Sequence, residues 1–191
     1  MVGNVYLALI HHPVLNREGG VVTSSVTSLD LHDLARVGRT YGVTGVFVVH
    51  PSAPQRAFVE RVIGHFTQGP GRTLHPQRGE TLEFLEVLPS LDALIEEVER
   101  KEPKRPRCAA TTARRVPGAV GYEALRGELR ETDAPLVILF GTSWGLADEV
   151  LEMSDVVLLP VEAEAETGFN HLSVRGAAAI VMDRIFGKRE V

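Results

Sequence analysis

The sequence predicts an α/β domain with a mainly parallel sheet flanked by helices. Short apolar runs of strand length recur along the whole chain and stop at glycine, proline or histidine. Amphipathic stretches of helical period separate them. Strand and helix therefore alternate from end to end, the pattern that βαβ crossovers produce.

Val5 to Ile10 is the first apolar run, ended by His11, His12 and Pro13. Adjacent histidines on a strand point to opposite faces, which argues against a shared metal. Residues 14 to 28 form a long polar loop that bends at Gly19-Gly20, a length often found at functional sites. Thr27 or Ser28 caps the next helix, with Asp30 in its first turn. Leu31, Leu34, Ala35, Gly38 and Tyr41 make its buried stripe, and His32, Asp33, Arg36 and Arg39 its polar side. From composition alone Asp30 and Asp33 complement the helix dipole and Arg36 is a surface charge.

Gly45 to Val49 is a second buried strand. Pro54 opens a helix with Phe58, Val62, Ile63 and Phe66 at core spacing. Gln68 to Arg72 closes it and opens a loop to Arg78. Leu82 to Leu88 reads as a strand, Asp92 to Arg100 as a helix with Leu94, Ile95 and Val98 inward, and Arg107 to Thr112 as a short strand. Tyr122, Leu125 and Leu129 mark a further helix. The strand Leu136 to Phe140 breaks at Gly141, and the turn Gly141-Thr142-Ser143-Trp144-Gly145 leads to a short acidic helix. The strand Val156 to Leu159 stops at Pro160. A loop carrying Glu162, Glu164 and Glu166 then reaches Asn170 and the last amphipathic helix. In a parallel sheet these strand-end loops share one edge, where α/β proteins bind ligands, so residues 136 to 186 are the candidate site.

The totals bound the classes. A chain of 191 residues with 44% hydrophobic content reads as one domain, 1–191, with a real core. The single cysteine, Cys108, excludes an internal disulfide and points to a reducing compartment, the cytoplasm. No apolar run approaches the roughly 20 residues of a membrane span, and MVGNVYLALIHH does not read as a signal peptide. The net charge of -5 argues against a non-specific nucleic-acid coat. A local basic face exists nonetheless: Arg100, Lys101, Lys104, Arg105, Arg107, Arg114 and Arg115 are opposed only by Glu102.

Several chemistries are missing from the sequence. There is no G-x-x-x-x-G-K-[ST] loop, and the Gly141 turn lacks the glycines and spacing of the dinucleotide fingerprint. There is no cysteine pair and no H-E-x-x-H, so no metal is expected. Gly141-x-Ser143-x-Gly145 formally matches a nucleophile elbow, between a strand and a helix. That hydrolase reading ranks second, because His171 is the only histidine downstream.

Three segments together carry a stronger signal: Leu139-Phe-Gly-Thr-Ser-Trp-Gly-Leu146, Asp155-Val-Val-Leu-Leu-Pro160, and Asn170-His-Leu-Ser-Val-Arg-Gly-Ala177. In order and spacing they resemble the cofactor-binding segments of the SPOUT class of S-adenosylmethionine-dependent RNA methyltransferases. The likeness is closest to a small bacterial branch, and Thr27-Ser-Leu-Asp-Leu-His-Asp-Leu-Ala-Arg36 extends it over nearly the whole chain. The resemblance implies a C-terminal trefoil knot, a homodimer, S-adenosyl-L-methionine as cofactor, and tRNA or rRNA as partner. It implies cofactor contacts at Leu139, Phe140, Gly141, Thr142, Gly145, Leu158, Leu159, Pro160, Asn170, His171, Leu172 and Ser173.

The class places an arginine at the end of an Asn-x5-Arg pattern. Arg36 matches it, while Asp30 stands where the asparagine would be. Arg36 and Asp30 are thus the catalytic candidates, with Asp33 and Glu166 as further possible bases. The departure at Asp30, Ser143 in the turn and His171 at the usual asparagine position leave base and ribose acceptors both open. Arg114 and Arg115, near a strand end, are the candidate RNA contacts. A protein that binds cofactor or RNA without turnover is the rival from a different class.

Overall fold

A computed structural model describes residues 4–165, 167 and 169–189. The chain runs β1 (Val5–Ile10), β2 (Val14–Leu15), β3 (Val21–Val22), α1 (Ser28–Tyr41), β4 (Gly45–Val49), α2 (Ala53–Thr67), α3 (Pro70–Leu74) and α4 (Pro76–Leu82). It continues β5 (Leu85–Leu88), α5 (Leu91–Lys101), β6 (Arg107–Ala110), α6 (Tyr122–Glu131), β7 (Leu136–Gly141), α7 (Asp148–Met153), β8 (Val156–Val157) and α8 (Val174–Phe186).

Six strands form one sheet in the order β5-β4-β1-β7-β6-β8, and every pairing in it is parallel. β1 and the first five residues of β7 are buried throughout, as strands covered on both faces must be. Strand alternation sends Leu7, Leu9, Val46, Val48, Ile138 and Phe140 into a core with α1, α2, α4, α6 and α8. Tyr6, Ala8, Phe47, Val137 and Leu139 face the other way, onto α5 and α7. The chain leaves β1 toward β4 and β5, then crosses over to build β6, β7 and β8 on the other side. That reversal is the switch point at which open α/β sheets form ligand crevices. No helix among the described residues is long and apolar enough to cross a membrane.

Several element boundaries differ from the sequence reading. The loop 14–28 contains the hairpin β2–β3, with Val14 paired to Val22. The stretch 68–78 holds two short helices, because Gly69-Pro70 and His75-Pro76 each place proline at a helix start. Leu82 ends α4, so the strand begins only at Leu85. In α2 the fully buried residue is Val59, while Phe58, Val62, Ile63 and Phe66 are half-buried against the core. In α8 the buried face is Ala178, Val181, Met182 and Ile185, while Val174 and Ala177 are half-buried and line the cleft.

Candidate active site

β7 delivers its last residue, Gly141, to the carboxyl edge of the sheet. There the chain reverses in a turn closed by Gly145 N donating to Thr142 O at 3.0 Å. Ser143 (φ 55°) and Gly145 (φ 103°) both take left-handed backbone. Gly141 is required by the turn itself: a Cβ there would stand 2.5 Å from Leu146 N. The hairpin strand β2 holds this turn from outside, since Trp144 N donates to Leu15 O at 3.0 Å and Leu15 N to Gly145 O at 2.9 Å. The segment before α8 forms the opposite wall, where Ser173 caps the helix by accepting from Gly176 N at 3.3 Å. The loop after β6 closes the third side, joined to that wall by Asn170 Nδ2 donating to Ala113 O at 3.2 Å.

These three loops enclose a cleft of about 370 Å³, within the range of small-molecule sites, roughly 300–1,000 Å³. Phe140, Gly141, Thr142, Gly145, Asn170, His171, Leu172 and Ser173 all line it. Leu139, Leu158, Leu159 and Pro160 are outside its lining. Strand alternation turns Leu139 to the opposite face from Phe140, and Leu158 is core. Leu159 contributes its carbonyl to the Tyr122 hydroxyl at 2.6 Å. Residues not singled out for the site also line the cleft, notably Ser24, Thr112, Tyr122 and Trp144. The long loop after β1 was the signal for Ser24; nothing local marked Tyr122.

Asp30 stands at the cleft and Arg36 does not. Six residues on a helix amount to about 120° of rotation and roughly 9 Å of rise, so the two side chains diverge. Arg36 lines a separate groove with His75 and Arg78. Asp30 is instead met by Arg175, whose Nε lies 3.4 Å from Oδ1 and whose Nη1 donates to Asp33 Oδ2 at 3.0 Å. The Thr27 hydroxyl donates to Asp30 Oδ2 at 2.6 Å and accepts from Asp30 N at 3.3 Å. Asp30 is the sheltered member of this cluster, 13% exposed against 45% for Asp33. Glu166 lies outside the described residues.

Arg114 and Arg115 are both engaged by carboxylates. Arg114 donates to Asp148 at 2.6 Å, and Arg115 grips Glu162 through two bonds at 2.7 and 2.6 Å. Arg115 thereby ties the loop after β6 to the loop after β8. The His171 ring sits edge-on to Trp144 and Phe169, at 5.0 and 5.5 Å between centroids. No hydrogen bond joins that ring to the Ser143 hydroxyl. Beneath the cleft, His11 Nδ1 is 2.9 Å from Ser24 Oγ, which in turn contacts Thr142 Oγ1. Burial, then the neighbouring His50, hold the His11 imidazole down at about 4, so it is neutral at pH 7.

Among the described residues between Val161 and Leu172, the backbone makes a single internal hydrogen bond, Thr167 N to Ala165 O at 2.9 Å. The backbone of Asn170, His171 and Leu172 therefore borders apolar walls from Phe140, Leu172 and Val181 with groups outside any regular hydrogen-bond ladder. That donor set suits a planar heterocycle attached to a polar tail. A family profile described as SAM-dependent RNA methyltransferase matches residues 4–187.

The chain belongs to this SAM-dependent RNA methyltransferase family. A relative from Oleidesulfovibrio alaskensis named tRNA (guanine-N(1)-)-methyltransferase is 41% identical over 184 residues, 96% of this chain and 42% of that protein. This family member thus spans about two-fifths of the length of that relative. An uncharacterized protein of Aquifex aeolicus is 35% identical over 97% of this chain and 89% of its own length. In fold, this methyltransferase-family chain is similar to the SpoU methyltransferase AviRb from Streptomyces viridochromogenes, solved in complex with AdoMet. The TM-score is 0.57 at 12% identity, covering 97% of this chain and 58% of that one.

Proposed function

We propose that this chain transfers a methyl group from S-adenosyl-L-methionine to RNA, with tRNA the first candidate and rRNA the second. The observation that carries the reading is the convergence of three separate loops on one cleft, with a carboxylate at its edge. The cofactor supplies an electrophilic methyl on sulfonium when bound. Phe140 and Leu172 wall the slot, the Gly141–Gly145 turn and the Asn170–Ser173 segment offer backbone partners, and Trp144 closes the outer side. Asp30 takes the proton that the acceptor loses, steered by Arg175 and Thr27. Arg36 has no place in this cleft, and no proton transfer is assigned to it. The guanine-N(1) label belongs to a protein of which this chain matches 42%, so base and ribose acceptors are both tested.

Calorimetric titration of S-adenosylmethionine tests the site. Wild type should bind, and Leu172→Arg should not. Leu172 is half exposed, so the change spares the fold while placing a cation beside the sulfonium. A folded wild type that takes up no cofactor would sink the proposal. Transfer of labelled methyl to total tRNA and rRNA, followed by alkaline hydrolysis, then separates ribose from base products. Asp30→Asn should lower turnover by about 10²–10⁴-fold with cofactor affinity little changed.

One observation favours a second reading. Thr27 and Arg175 already occupy both oxygens of Asp30, a state suited to a protein that binds without turnover. Methyl transfer equal in wild type and Asp30→Asn, at background level in both, would establish that binder.

The finer expectations are part of the same reading. A trefoil knot is supported by the path from β8, outside β6, back to α8 beside α1 and α6. The loop after β6 runs alongside the start of that path, with Val120 bridged in parallel to Leu158. An experimental backbone trace through 111–121 and 158–173 decides the threading. A homodimer is supported by exposed apolar side chains beside the cleft, with Trp144 and Phe169 flanking His171 and Phe169 73% exposed. Sedimentation of wild type against Phe169→Lys tests it. The cytoplasm is the compartment in which RNA and cofactor meet, and cell fractionation checks that placement.

A further inference from the structure

The sequence puts its densest positive charge at residues 100 to 115, yet the fold neutralises it there. Arg100 pairs with Glu97, Lys101 with Glu86 and Glu97, and Lys104 with Asp133. Arg105 lies 3.9 Å from Glu99, Arg107 pairs with Glu128, Arg114 with Asp148 and Arg115 with Glu162. Other cations have no carboxylate partner among the described residues, and two of these, Arg36 and Arg78, line one groove. Arg36 and Arg78 line the groove between α1 and the α3–α4 insert, Arg72 is exposed on the adjoining α3, and none of the three has a carboxylate within ion-pair distance among the described residues.

This groove is a built feature of about 450 Å³. Gly71 and Gly79 are buried, and a Cβ at Gly79 would stand 2.6 Å from Phe66 O, so the two short helices are seated closely on α2. Phe66 lies beneath them as a half-buried ring. Arg78 covers it at 5.7 Å from the centroid, and His32 and His65 meet it edge-on at 5.0 and 4.8 Å. Arg72 is anchored by a bond to Thr67 O at 3.3 Å. The field of these arginines reaches inward: burial first, then Arg78 and Arg36, depress the His32 imidazole. Two guanidinium groups in one groove with the His75 imidazole, and the Phe66 ring behind Arg78, are chemistry suited to unpaired nucleotides, with arginine on phosphate and imidazole against a base.

We propose that the α1/α3–α4 groove, through Arg36 and Arg78 with Arg72 beside it on α3, binds the phosphodiester backbone of an unpaired stretch of the RNA substrate. This rests on the reading of the chain as acting on RNA. It moves the RNA contact away from Arg114 and Arg115 and gives Arg36 a positioning role.

The test is salt-dependent binding of a labelled polyuridine of about 12 nucleotides, long enough for a groove of this kind. Wild type is compared with Arg72→Gln/Arg78→Gln and with Arg114→Gln/Arg115→Gln. All four arginines are on the surface, and circular dichroism with cofactor titration confirms that the cofactor cleft is intact. The Arg72/Arg78 pair should lower the slope of log affinity against log salt by about 0.7 for each arginine removed. The Arg114/Arg115 pair should leave the slope unchanged. Equal slopes in wild type and the Arg72/Arg78 variant overturn the groove while leaving RNA binding in place. A wild type that binds no polyuridine and no mixed tRNA at low salt defeats the RNA reading itself. An Arg72/Arg78 variant that keeps its slope but loses self-association assigns the groove to a second copy of this chain and also overturns the proposal.

Discussion

His11 shows how one buried side chain sets an acid limit. It is fully buried, bonded through Nδ1 to Ser24, and its Nε2 has no partner among the described residues. Burial lowers its value from the ordinary 6.5 to about 4. As pH falls from 6.5 to 4, the unfolded chain takes up a proton that the folded chain refuses. The contribution is therefore complete above pH 6.5 and declines by roughly 3 kcal/mol down to pH 4. Urea unfolding across this window should show that slope, and His11→Asn, which keeps a partner for Ser24, should flatten it. At this scale the sequence revealed chemistry better than orientation. That Gly141, Thr142, Asn170 and Ser173 border a common cleft was legible because loops at strand ends announce themselves. Leu139 and Leu158 fall outside the cleft lining, because closeness in sequence to a motif does not fix which way a strand side chain points. Arg175 was missed because its partners Asp30 and Asp33 lie on α1, 142 positions from Arg175 in the case of Asp33.

At the scale of elements, α1 joins stability to the site. Thr27 caps it, Gly42 at φ 70° ends it, and the capping hydroxyl also bonds the Asp30 carboxylate. Thr27→Ala removes both interactions. The expected loss is about 1 kcal/mol, seen as a melting temperature lower by about 2–4 °C. Thr27→Ser should restore it. An unchanged melting temperature would mean the cap is replaced by solvent. The alternation of strands and helices was readable because apolar period and turn chemistry agree along most of the chain. The two insert helices were hidden because Gly69-Pro70 and His75-Pro76 look like loop breakers, whereas each proline starts a helix. The hairpin β2–β3 was hidden because two-residue strands leave no period to detect.

For the molecule as a whole, the cleft is assembled from pieces far apart in sequence, so occupancy should be felt globally. At cofactor 100-fold above its dissociation constant, stability should rise by about 2.7 kcal/mol. Thermal unfolding with and without S-adenosylmethionine measures this, and hydrogen exchange should slow most between residues 161 and 173. A thermal gain without protection there would move the binding site elsewhere. Net charge was the least informative of the whole-chain quantities. The basic run is cancelled by carboxylates contributed by α5, α6, α7 and neighbouring loops, a pairing that only the tertiary fold creates.

The place of β1 in the sheet bears on how the chain is made. β1 precedes every other strand of this sheet in the sequence, and β4 can cover one of its edges early. Its other edge pairs with β7, Val5 against Leu136. On the ribosome that flank, six apolar-rich residues long, stays open until most of the chain has emerged. An uncovered strand edge recruits other strands, so the interval before β7 is made is the one in which this sheet is most open to mispairing. The same pairing that puts the candidate site at the middle of the sheet therefore keeps that site unformed until β7 has been made.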